Sequence, residues 1–202
     1  MIVIAALLIF GGSGDKGDNP SGTQDNPTQT ETKTDNNSDK AKTDSPISKY
    51  TQLQETLTES DLAFSMNEDA VSFITEHSDF FPGSSKNEGA MGDCLDYEVD
   101  YQHIAKNPSK YSKKLIYVGG TVVDCEENET DDGTITFLQI TDESGYNYCL
   151  YYLGTLENVF EQEEVWGYAL PFGMVTFENM GGNYTEAVIG AATYIYTYAD
   201  AL

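Results

Sequence analysis

The chain has 202 residues and a formal net charge of −24, all ten of its basic residues are lysines, and the last of them is Lys114. From Leu115 onward fifteen Asp and Glu stand against no Lys, Arg or His. That half of the chain has nothing with which to neutralise phosphates, so nucleic-acid binding is disfavoured.

Length allows one or two domains, and the placement of apolar residues narrows this to one main core. Residues 1–10 are apolar from Ile2 to Phe10. Such a run is too short to cross a bilayer, which takes roughly 20 residues, and it lacks a basic n-region. It reads as the truncated end of a membrane anchor or signal segment. Residues 11–49 contain only Ala41 and Ile47 as aliphatic side chains. A stretch that buries so little cannot offset its conformational entropy, and it is expected to be a disordered polar linker.

Residues 50–96 read as a helical preface. Ser65 and Glu68 have the spacing of a capping box. Met66, Ala70, Phe73, Ile74 and His77 then recur at helical spacing, which predicts a helix over 66–77. Asp79 to Gly83 ends it, because Pro82 and Gly83 do not continue a helix. Its apolar stripe needs a partner surface, and His77 reads as an interface residue. No Cys or His stands near either histidine at zinc spacing, and no metal or cofactor is expected.

Residues 97–202 read as a β-barrel. The expected strands are 115–125, 134–141, 146–152, 165–170 and 186–198, with an acidic turn at 126–133 and a tight turn at 142–145. A helical turn at 156–162 and a long loop at 171–183 complete the pattern. Gly119-Gly120 within the first strand predicts a bulge or bend. Five short strands, a bent first strand and a helical element after the third fit a five-stranded OB-fold-like barrel.

Several short runs then carry a family resemblance. Tyr101 to Tyr111, with Asn107-Pro108 inside it, leads into Lys114-Leu-Ile-Tyr-Val-Gly-Gly-Thr-Val. Tyr151-Tyr-Leu-Gly154, the run from Phe177 through Gly182 to Ala192, and Phe73 to Pro82 add to it. Together they resemble the tRNA-anti-like OB-fold proteins, extracellular or membrane-anchored proteins of Gram-positive bacteria. The resemblance covers roughly residues 60–198. It implies an OB-fold and a location at the outer face of the cell membrane, and it implies no activity.

Thirteen of the fourteen tyrosines lie in residues 97–198. OB-folds bind ligands on the face of strands two and three, rimmed by the loops after strands one and four. On that map Phe137, Tyr146, Tyr148, Tyr152 and Trp166 are the candidate ligand-binding residues. Alternation puts Tyr146, Tyr148 and Tyr152 on one face, without saying which face points in. The acidic run Asp124 to Gly133 lacks EF-hand order, with Asp132 in the glycine position and Leu138 in the bidentate position, and reads as solvated loop charge. Cys125 and Cys149, on strands adjacent in sequence, leave a disulfide open. With two histidines and no arginine, no nucleophile–base set emerges. The expected function is therefore a non-enzymatic binding module held outside the membrane, for a glycan, a peptide or a protein. The alternative is a ligand-free accessory domain that docks on a membrane protein through the 66–77 helix.

Overall fold

The computed structural model describes residues 45–179 and 181–201. The expectations for the apolar segment 1–10 and for linker residues 11–44 lie outside this range. Among the described residues four α-helices precede five strands: α1 (Pro46–Thr56), α2 (Glu68–Glu76), α3 (Glu88–Asp93) and α4 (Tyr101–Lys106), then β1 (Ile116–Thr130), β2 (Gly133–Thr141), β3 (Asn147–Tyr152), β4 (Glu164–Glu178) and β5 (Tyr184–Thr197).

The strands close in the order β1-β2-β3-β5-β4, with β1 paired to both β2 and β4. All pairs are antiparallel except β3 with β5. A bent first strand that seals both edges, with a parallel return of the fifth strand onto the third, is the OB-fold arrangement.

Side chains sort into two layers. Ile116, Val118, Leu138, Ile140, Leu150, Val165, Val188 and Ala192 fill the barrel, together with Tyr101 and Ile104 of α4. Phe137, Cys149, Tyr151, Phe172, Phe177 and Ile189 point outward and pack against Tyr50, Leu53, Phe64, Phe73 and Phe81 of the preface. The protein thus has a second core, between the barrel wall and its own helices.

α1, α2 and α4 begin at side-chain caps. In α1, Ser45 Oγ accepts from the Ser48 N–H at 3.3 Å and Pro46 takes the first turn, where its missing N–H costs nothing. Residues 45–49, read as the end of the linker, are therefore capped helix; Tyr50, Leu53 and Leu57 supply the stripe that fixes them. In α2 the cap is Asn67, whose Oδ1 accepts from the Ala70 N–H at 2.9 Å, rather than Ser65. Glu68 and Asp69 favour its first turn by charge. Ala70, Phe73 and Ile74 are buried within the outer core, so the main apolar stripe of this helix already has its partner. His77 lies between Phe73 and Phe80, at ring distances of 4.6 and 4.9 Å.

Three expectations for the barrel are corrected. The acidic segment 126–133 is mostly strand: β1 runs to Thr130 and β2 resumes at Gly133, leaving a two-residue turn. The expected loop 171–183 is largely strand, because β4 continues through Pro171 and Gly173 to Glu178 against β5. A register shift between Pro171 and Gly173 absorbs both residues, the kind of bulge that tolerates proline. Residues 156–162 form turns and no helix. The end of the barrel is closed by α4, whose Ile104 is fully buried in the interior layer.

Cys125 and Cys149 are free thiols. Cys125 packs toward the barrel interior and Cys149 toward the outer core, so the wall of the sheet separates them.

Candidate functional site

Alternation along β1, β4 and β5 sends one set of aromatic side chains to the outer surface, on the wall that the preface leaves partly open. Tyr117 stands opposite Tyr168, Trp166 opposite Tyr196, and Tyr168 opposite Tyr194. Direct cross-strand neighbours lie within reach of each other's rings. Ring centroids are 6.3 Å apart for Tyr117–Tyr168, 6.5 Å for Tyr168–Tyr194, 5.4 Å for Tyr194–Tyr196 and 6.3 Å for Trp166–Tyr196. Five rings on three strands form one strip. Tyr117 is 47% exposed, and the other four are half-buried.

Glycine makes room for the indole. A Cβ on Gly119 would stand 2.7 Å from Trp166 Cδ1. Trp166 therefore lies down across β1, and its ring becomes part of the surface. Tyr168 Oη donates to Glu88 Oε1 at 3.4 Å, which ties the strip to α3. Tyr97, at 79% exposure, lies near enough to act electrostatically on Tyr168.

At its β1 end the strip runs into a cleft of about 360 Å³. Tyr117 and Trp166 line it, with Asp142 and Glu143 of the β2–β3 turn, Glu164 and Tyr148. Among the described residues no lysine contributes to the lining. An aromatic surface edged by carboxylates and by the hydroxyls of Thr121, Thr141 and Ser144 suits a ligand with apolar faces and many hydrogen-bond donors.

The hydroxyls of Tyr168 and Tyr196 stay protonated far above neutrality. Burial first, then the Glu88 carboxylate, pushes Tyr168 up to about 12. Burial first, then the hydrogen bond with Tyr117, does the same for Tyr196, again to about 12. Unfolded tyrosine ionises near pH 10. Each group thus favours the folded state fully below about pH 10, and that contribution is lost as pH rises to about 12. Urea midpoints are expected to fall across this window, with tyrosinate absorbance of the folded protein developing late. Fourteen tyrosines ionising together near pH 10 with the fold intact would contradict this assignment.

The residues expected from sequence are scattered. Phe137 is 4% exposed and sits under the preface beside Tyr151. Tyr146 stacks on Tyr101 at 4.3 Å and accepts from Gln102 Nε2 at 2.6 Å. Tyr148 is a barrel-core residue that only touches the cleft, and Tyr152 packs half-buried toward the interior. Trp166 alone belongs to the strip.

The physical reason is that the β2–β3 face is already occupied. Tyr50 Oη donates to the Tyr151 carbonyl at 3.1 Å, and Phe64 lies against Tyr151 and stacks on Phe172 at 5.0 Å. Sequence reasoning missed Tyr117, Tyr168, Tyr194 and Tyr196. The signal was present: Trp166-x-Tyr168 and Tyr194-x-Tyr196 are two-residue repeats, which place paired rings on one face of a strand. Among the described residues no group of three His, Cys, Asp or Glu is placed to hold a metal ion.

No family model matches the chain, and no curated protein matches it. Among solved structures, it is similar to the crystal structure of the mitochondrial single-stranded DNA binding protein Rim1 from S. cerevisiae, with 14% identity and a TM-score of 0.28, over 42% of this chain and 91% of that one.

Proposed function

We propose that this protein is a non-enzymatic carbohydrate-binding module, held at the outer face of the cell membrane by its N-terminal segment. Its ligand is an extended wall glycan, neutral or amine-bearing. The observation that carries this reading is the five-ring strip of Tyr117, Trp166, Tyr168, Tyr194 and Tyr196. Sugar rings have apolar faces that stack on aromatic side chains, and their hydroxyls donate to carboxylates such as Asp142, Glu143 and Glu164 at the cleft. The carboxylates also repel anionic polymers. A nucleic-acid strand would meet no lysine among the described residues that line this cleft, and the β2–β3 face that OB-folds use for oligonucleotides is covered by α1 and Phe64.

The test is retention of the protein on insoluble cell-wall peptidoglycan, followed by titration with soluble N-acetylglucosamine oligomers. Wild-type protein is expected to bind, and Trp166→Ala is expected to weaken binding at least about tenfold, or ~1.4 kcal/mol. Tyr146→Ala, off the strip, is expected to leave it unchanged. No retention of the wild type, or equal binding by Trp166→Ala, overturns the reading.

A further inference from the structure

A second concavity, of about 420 Å³, lies by the start of β1. Ile116 lines it, while the next residue, Tyr117, faces the aromatic strip. Its character is opposite to that of the strip. Lys110, Lys113, Lys114 and His103 line it, with Asp96 and Glu98 at one side.

The distribution of charge makes this notable. From residue 45 onward the chain has six lysines, and four of them fall within residues 106–114. Three of those four turn into one cavity, on a molecule that is otherwise acidic. Repulsion by the rest of the protein is screened over roughly 10 Å at ordinary salt, so the local cations govern what enters.

The fold holds these lysines near one another. Asn107-Pro108 breaks α4, and the Pro108–Lys110 turn brings the chain back to β1. Lys110 Nζ sits 3.3 Å from Tyr111 Oη and 4.9 Å from the centre of its ring, a cation–π placement. Lys113 pairs with Asp69 at 3.4 Å, both side chains being well exposed. Exposed pairs of this kind contribute little and exchange readily. Lys114 makes no salt bridge with a described residue.

We propose that this cavity is a separate ligand site for a small phosphorylated molecule that also carries hydroxyl or amine donors. A phosphomonoester brings close to two negative charges and three strong acceptors, and lysines bind it as mobile point charges. Asp96 and Glu98 would repel a bare anion, and they suit donors on the rest of the ligand. Val99 and Ile116 supply an apolar floor, and the volume matches a small organic molecule.

The site is independent of the glycan reading, and the test separates the two. Amide NMR of the full chain is followed during titration with inorganic phosphate, glycerol 3-phosphate, acetate and sodium chloride at matched ionic strength. Saturable shifts confined to residues 96–116 are expected with phosphate, tighter with glycerol 3-phosphate. The triple variant Lys110→Gln, Lys113→Gln, Lys114→Gln is expected to weaken binding at least about tenfold. All three side chains are exposed, so the variant should fold, and an unchanged spectrum elsewhere checks that it does. Trp166→Ala is expected to bind phosphate normally. Shifts that sodium chloride or acetate reproduces equally, that do not saturate, or that persist in the triple variant overturn the proposal.

Discussion

Replacing Tyr50 by alanine is expected to lower the unfolding free energy by about 3–5 kcal/mol, the range for removing a buried aromatic ring. Tyr50 is fully buried although it belongs to the second turn of the first helix. Its ring meets Phe81 and Phe172 edge-on, at 5.9 and 5.8 Å. Its hydroxyl reaches the Tyr151 carbonyl on β3. The substitution therefore opens a cavity between preface and barrel, and removes one hydrogen bond that spans them. Native stabilities run to about 5–15 kcal/mol, so this loss is a large fraction of the total. Tyr50→Phe keeps the ring and loses only the hydroxyl, and is expected to cost about 1 kcal/mol. Urea unfolding of both variants measures the difference. A dye that reports exposed apolar surface should bind the alanine variant, because Phe137, Tyr151 and Phe172 lose their cover. A cost for Tyr50→Ala below about 1 kcal/mol would mean that the preface is not part of the core.

Gly167→Ala is expected to be nearly as damaging, at about 3 kcal/mol, the upper part of the range for overpacking. Gly167 pairs with Val118 on one side and with Ile195 on the other. A Cβ there would run into the backbone carbonyl oxygen of Tyr194 and come within 2.7 Å of Ile195 Cδ1 and 3.1 Å of Ile195 Cα. A side-chain tip can rotate away, but a backbone carbonyl in a ladder cannot. β4 and β5 must part locally, and the small gain from stiffening the unfolded chain, about 0.4–1 kcal/mol, does not offset this. The effect also reaches the surface. Gly167 lies between Trp166 and Tyr168, and its partners lie beside Tyr194 and Tyr196. The same variant is thus expected to weaken glycan binding where it remains folded. Thermal or urea unfolding measures the first effect, and retention on peptidoglycan measures the second. A variant as stable as wild type would show that β4 and β5 can separate at no cost, contrary to the tight pairing of these long strands.

The two surfaces divide the molecule by charge. Every lysine precedes β1, and the aromatic strip lies on β1, β4 and β5, beyond the last basic residue. The asymmetry read from the sequence therefore reappears in space as two sites of unlike character, one lined by Ile116 and the other by the next residue of β1, Tyr117.

Much of the fold was legible. The alternating, β-branched and aromatic runs around Thr134–Thr141, Tyr146–Tyr152 and Glu186–Tyr198 predict three of the five strands at nearly their observed places, and Leu115–Cys125 predicts the first two thirds of β1. The strand expected to bend at Gly119-Gly120 is the one that pairs at both ends, with its register shift a little further on, between Val122 and Asp124. β4 was cut short because Pro171 and Gly173 look like breakers, and only the partner strand β5 shows that a bulge carries the ladder past them. The start of α1 was hidden by its polar neighbours, since Ser45 and Pro46 end one composition and begin another.

By itself, the sequence determined where each strand begins, the alternation along it and the loss of positive charge after Lys114. These are local properties, set by Cβ geometry and residue type. Tertiary structure alone decided which aromatic face is open. Period two groups Phe137 with Gln139, and Trp166 with Tyr168, but it does not say what lies across from them. Tyr50 and Phe64, far away along the chain, cover the first group and leave the second in contact with solvent. Burial is a property of the partner surface, and that partner is known only when the chain has closed.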